Sequence, residues 1–185
     1  MGEQHKKHNR REHLNDFHLN VAGEYVYGGA LYACQNDDAK QRRIKRAVWG
    51  MAAILIVAVI AGGCIPAPGM QNCFYVLLPY LGEFLGAASV IWALAKLGMD
   101  WGTVREYNYK KSVAVLPVRT AVTAVFSGLG IVCELIFFFV NDHAGQTFFA
   151  LLYVLLKLIA LLSVLVLRAE IMQAEWDKLP KKNNF

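Results

Sequence analysis

The chain has 185 residues, of which 56% are hydrophobic and 18% charged, with a formal net charge of +5. The apolar residues gather in four windows, 47–64, 74–97, 113–140 and 147–167, each near the roughly 20 residues a helix needs to cross a bilayer. A chain this short has too little polar surface to hide four such helices in a soluble bundle, which excludes that class, and its basic balance comes with no base-reading or stacking motif, which excludes nucleic acid as a partner.

Residues 1–22 are charged, carry His5, His8, His13 and His18, and show almost no apolar pattern, so they predict a solvated, partly disordered arm. The four histidines do not share a helical face and no cysteine or carboxylate pair completes a ligand set, so no metal site is predicted. In the segment 23–38, Glu24-Tyr25-Val26-Tyr27 and Ala30-Leu31-Tyr32-Ala33 flank Gly28-Gly29. Two β-prone tetrads around a glycine pair that tolerates positive φ predict a small β-hairpin. An isolated hairpin is marginal in water, so its tyrosines are expected to lean on helix ends or headgroups. An exposed edge that docks a partner strand is the alternative.

Asp38 followed by Gln41 has the form of a capping box, and predicts a helix from Ala39 through the basic collar Arg42-Arg43-Lys45-Arg46 into the first span, 47–64. Trp49 falls at interfacial height, and Gly62-Gly63 and Pro66 end the helix. Cys64 and Cys73 bracket a short outer loop and form a candidate disulfide, with free thiols as the alternative.

The second span, 74–97, contains Pro79, which removes a backbone donor and predicts a kink. Gly82 and Gly86 form a small-xxx-small pair that allows close helix contact. Tyr80 stands three residues before Glu83 and shares its face, so the phenol is placed to donate to the carboxylate. The connection 98–112 mixes Trp101, Arg105, Tyr107, Tyr109, Lys110 and Lys111, the pattern of a segment lying on headgroups.

The third window is over-long, and its span is placed at 117–140, with the apolar core beginning after Arg119. Thr120, Thr123, Ser127, Gly130 and Glu134 fall on one helical face, and in hydrocarbon such a stripe must face protein or trapped water. A short loop, 141–146, makes the fourth span, 147–167, an antiparallel neighbour of the third. Tyr153, Lys157 and Ala160 make its polar or small face, and the helix is expected to run past Arg168 until Pro180 stops it, leaving a tail at 180–185.

The cations are one-sided. Nine lysines and arginines precede the first span, others lie at 96–119 and after 167, and the connections 65–73 and 141–146 hold none. The positive-inside bias therefore predicts that both termini are cytoplasmic, in the plasma membrane, with anionic headgroups as the partner of the basic face. A polar segment this long ahead of the first span predicts no cleaved signal peptide. The predicted fold class is all-α: an integral membrane four-helix bundle over 39–179 with a small N-terminal cytoplasmic β-hairpin.

A carboxylate in mid-bilayer costs roughly 2.5–3.5 kcal/mol on insertion scales. Glu83 and Lys157 both fall about ten residues in from the outer helix ends, and Glu134 about a turn shallower. Pairing Glu83 with Lys157, with Glu134 and Tyr80 nearby, best limits that cost. The candidate intramembrane polar site is thus Glu83, Lys157, Glu134, Tyr80, Thr123 and Ser127. It reads either as a staple between helices or as a titrating site for proton coupling, cation passage or an anionic substrate. No nucleophile–base pair, metal constellation or phosphate-binding glycine loop is visible, so neither an enzyme nor a cofactor is predicted. The function expected is a non-enzymatic membrane interaction or accessory protein, with a membrane protein or a second copy of itself as partner. The alternative is a small proton- or ion-coupled transporter or channel protomer using Glu83, Glu134 and Lys157.

Overall fold

The computed structural model describes residues 17–19, 23, 25–27, 29–98, 101–141 and 147–179. The predicted arm 1–22 apart from 17–19, the tail 180–185 and most of the loop 141–146 lie outside the described residues. The elements run β1 (Phe17–Leu19), β2 (Tyr25–Tyr27), β3 (Leu31–Cys34), α1 (Asp38–Cys64), α2 (Pro68–Asn72), α3 (Phe74–Leu97), β4 (Thr103–Arg105), α4 (Glu106–Lys111), α5 (Leu116–Val140), α6 (Thr147–Met172) and β5 (Trp176–Lys178), with a 3-10 turn at Val113–Val115 before α5.

Four helical stretches are long and apolar enough to cross a membrane: α1, α3, α6 and the run from Glu106 to Val140 that ends in α5. They form a ring in which α1 lies along α6, α6 along α5 and α5 along α3, while α1 and α3 close the ring with a lighter contact. Thus α3 and α6 face each other across one diagonal. Their inward residues stack as three apolar clusters. One lies toward the strands, with Ile44, Val48, Leu94, Leu116 and Leu167; one lies mid-way, with Leu55, Val59, Ala87 and Val164; one lies at the opposite end, with Ala67, Val76, Phe137 and Tyr153. The outward residues are also apolar. Val57, Leu85, Val125, Leu151 and Leu162 are all exposed, an exterior suited to lipid and unsuited to water.

Close approach of α3 to α5 depends on the glycine pair. A Cβ added to Gly82 would lie 2.5 Å from the Phe126 ring, and one added to Gly86 2.6 Å from Thr123 Oγ1. The missing side chains let the two backbones meet. At its far end α3 stops at Gly98, whose φ of 72° other residues rarely adopt.

One end of the bundle, here the sheet end, carries a three-stranded antiparallel sheet of order β4-β3-β5. Leu31 pairs with Arg105 and Tyr32 with Val104 on one side, and Tyr32 with Lys178 and Cys34 with Trp176 on the other. Tyr32 stacks on Tyr109 at 4.1 Å between centroids, and Trp176 packs at 6.0 Å from both Trp101 and Tyr109. The opposite end, the loop end, is closed by α2.

Several expectations are corrected here. Among the described residues the strands flanking Gly28-Gly29 do not pair with each other as the predicted hairpin. Both flanking strands exist, but β2 pairs with β1, and β3 is the centre of a sheet whose two edges come from elsewhere in the chain. Pairing on both sides with β4 and β5 satisfies more of the β3 backbone than one short partner would. The last helix ends at Met172, well before Pro180, because the chain then turns into β5. The connection 98–112 folds beneath the bundle as β4 and α4, with Trp101 and Val104 buried in the sheet-end cluster. The residue before α1 is Asp37, whose side chain makes no capping bond; its carbonyl accepts from Gln41 N at 2.8 Å.

Candidate functional site

Charge in the interior is concentrated where α3 and α6 face each other. Glu83 on α3 is 0% exposed and Lys157 on α6 is 2% exposed, and the Lys157 ammonium donates to Glu83 Oε2. Because these helices are diagonal rather than adjacent, the pair crosses the bundle axis, and the long lysine side chain reaches across it. Gly130 on α5 flanks the lysine side chain, where an added Cβ would stand in ordinary van der Waals contact at 3.6 Å from Lys157 Cε. The ammonium also lies over two rings, 4.6 Å from the centroid of Tyr80 and 5.1 Å from that of Tyr153. A desolvated cation gains from the negative faces of such rings. A carboxylate and two aromatic faces thus surround it.

The predicted stripe on α5 is buried throughout: Thr120, Thr123, Ser127, Gly130 and Glu134 all face inward. Its hydroxyls are spent on backbone carbonyls rather than on a water-filled path. Thr120 donates to Leu116 O at 2.9 Å, Thr123 to Arg119 O at 2.8 Å, and Ser127 to Lys157 O at 3.3 Å on the neighbouring helix. The first two are turns of the same helix closing on themselves; the third ties α5 to α6 at the height of the ion pair.

Glu134 sits nearer the loop end, within electrostatic reach of Lys157. Its carboxylate rests against the backbone of Gly69 in α2, where an added Cβ would collide with it. Ala67, Pro68 and Gly69 are buried, so the short segment between the first two long helices folds inward as a plug over Glu134. Tyr80 departs from expectation. Its hydroxyl donates to Val59 O on α1 at 3.4 Å and presses on Gly63, while the ring, not the oxygen, serves the ion pair. Cys64 is exposed and Cys73 partly buried, and both are free thiols, as are Cys34 and Cys133.

Two contributors lay outside the predicted site. Tyr153 is fully buried beside the ammonium; its position one turn before Lys157 on α6 was the available signal. Gly69 had no signal, since nothing in its local pattern points to Glu134. Among the described residues no cluster of His, Cys, Asp and Glu is arranged to hold a metal ion. No family model matches the chain, and no curated protein or solved structure shows significant similarity to it.

Proposed function

We propose that this is a multi-pass protein of the cell membrane, with both termini cytoplasmic, acting as a non-enzymatic interaction or accessory protein on a rigid four-helix scaffold. The orientation rests on the cations, which crowd the sheet end and are lacking in the loop segments 65–73 and 141–146. One observation carries the structural reading: among the described residues the one ion pair in the interior joins Glu83, fully buried, to Lys157, nearly so. A buried, mutually neutralised pair fixes helix register and does not conduct. The sheet end, with its edge strands β4 and β5 outside the apolar belt, is the face left for a protein partner or a second copy.

The test is reconstitution into vesicles with proton- and cation-sensitive dyes, together with cross-linking in native membranes through cysteines placed in β5. Silent vesicles and a specific sheet-end adduct are expected. A flux that Glu83→Gln abolishes while the protein stays folded would reverse the order of the two readings. That second reading, a small proton- or ion-coupled carrier, is favoured by one detail: among the described residues Glu83 Oε1 and the Tyr153 hydroxyl are buried without a hydrogen-bond partner, which leaves capacity for an exchanging proton.

A further inference from the structure

We propose that the groove between α3 and α5 at the sheet end seats the phosphate of an anionic phospholipid, held by Arg119 and Lys96 beside Trp92. This site rests on the membrane-spanning reading given above. Ser89, Trp92 and Lys96 are spaced by three and four residues and share one face of α3. Arg119 reaches that face from α5, where its Nη1 donates to Ser89 O at 2.6 Å. The contact lies one turn toward the sheet end from the point where Gly86 and Thr123 bring the two backbones together.

Among the described residues neither cation is paired with a carboxylate. The ion pairs among the described residues are Arg43–Glu170, Lys110–Glu106 and Lys157–Glu83, and Arg119 and Lys96 belong to none of them. One guanidinium N–H is fixed on the Ser89 carbonyl, which orients a planar fork of up to five donors and leaves the rest free for an oxyanion. Lys96 Nζ is held 5.3 Å over the Trp92 ring, itself 62% exposed on the outer surface. Lys96 turns back over Trp92, one turn nearer Ser89, so a phosphate between the two helices would meet Arg119 on the hydrocarbon side and Lys96 on the water side, with the indole against the glycerol region.

The chemistry suits that ligand. Arginine binds phosphate through paired hydrogen bonds and is less strongly hydrated than an ammonium. A guanidinium at the edge of the hydrocarbon is costly when its other donors face lipid tails, and an anionic headgroup removes that cost. Basic pockets between spanning helices on the cytoplasmic side are a known setting for acidic headgroups. Lys110, by contrast, already holds a carboxylate at 2.6 Å and has no comparable need.

The experiment uses the full chain, extracted from membranes in mild detergent, and native mass spectrometry with phosphatidylglycerol, phosphatidylcholine or inorganic phosphate added. Phosphatidylglycerol should be retained in preference to phosphatidylcholine, and inorganic phosphate should neither bind comparably nor displace it. Arg119→Gln with Lys96→Gln should lower retention roughly fivefold for each charge removed, while Lys178→Gln on the exposed β5 should leave it unchanged. Trp92→Leu with Lys96→Gln spares the Arg119–Ser89 contact and carries the test should the arginine variant not fold; it too should lower retention. Equal retention of the two lipids, inorganic phosphate binding as well as the lipid does, or undiminished retention in the Trp92/Lys96 variant would overturn the site. Recovery of the chain in the soluble fraction would instead overturn the membrane reading beneath it.

Discussion

The middle of the bundle and its sheet end are held together by different means. In the middle, one lysine and one glutamate meet on the axis, the hydroxyls of Thr120, Thr123 and Ser127 on α5 are tied to backbone carbonyls, and the partners sit on long helices. At the sheet end, no single contact dominates. Strands from the beginning, middle and end of the chain interleave over a layer of Trp101, Tyr109, Trp176 and Tyr32. Cohesion concentrated in one desolvated pair is brittle, because removing one partner leaves a buried charge. Cohesion spread over many apolar contacts is graded, since each residue contributes its own share of buried area.

The largest effect is therefore expected at the pair. Lys157→Met or Glu83→Gln alone should destabilise the protein by about 3–5 kcal/mol, the range for breaking a buried ion pair, read as unfolding in mixed detergent micelles. The exchange Glu83→Lys with Lys157→Glu should recover part of that loss. If both single variants unfold like the parent, the middle is not held by its charges and the contrast collapses.

The same contrast explains what the sequence disclosed. The helices were legible because apolar windows of spanning length leave few alternatives: the predicted span 74–97 coincides with α3, and 147–167 lies inside α6. The pairing of Glu83 with Lys157 was legible because charges in hydrocarbon are few and each needs another. The sheet was not. Its strands are three or four residues long, too short for an alternating pattern to stand out, and two of the three lie in segments read as headgroup-bound or helical. Gly28-Gly29 suggested a local turn, but pairing in β3 is decided by residues far along the chain. Tyr80 was misread for a related reason. Sharing a face with Glu83 fixes the direction of its ring, while the destination of its hydroxyl, Val59 O, is set by the packing of α1.

Steric substitutions sharpen the comparison. Gly86→Val would force a branched side chain into Thr123, where even a lone Cβ would stand 2.6 Å from Oγ1 and 3.3 Å from the backbone Cα. Separating α3 from α5 there should cost about 1–3 kcal/mol and should also weaken the Glu83–Lys157 contact, since the carboxylate rides on the same helix. At the sheet end, Val104→Ala on β4 removes two methyl groups from a buried position and should cost about 1–2 kcal/mol, with the ion pair intact. Combining each with Lys157→Met separates the regions: the glycine change should be strongly non-additive with it, and the valine change additive, as expected for residues sharing or not sharing a contact network.

The smallest expected effect is also the most discriminating about the middle. Ser127 donates to Lys157 O, a carbonyl of α6 at the level of the ion pair, over a long 3.3 Å. If that hydroxyl matters only as a hydrogen bond between helices, Ser127→Ala should cost about 0.6 kcal/mol, the average found for such bonds in a membrane. It should cost the same whether residue 157 is lysine or methionine, because the bond is to the backbone. A much larger loss with lysine than with methionine would mean that the hydroxyl also serves the ammonium. The middle of the bundle would then be a polar network with exchangeable partners, and the reading of Glu83–Lys157 as a fixed staple would give way to that of a titrating site.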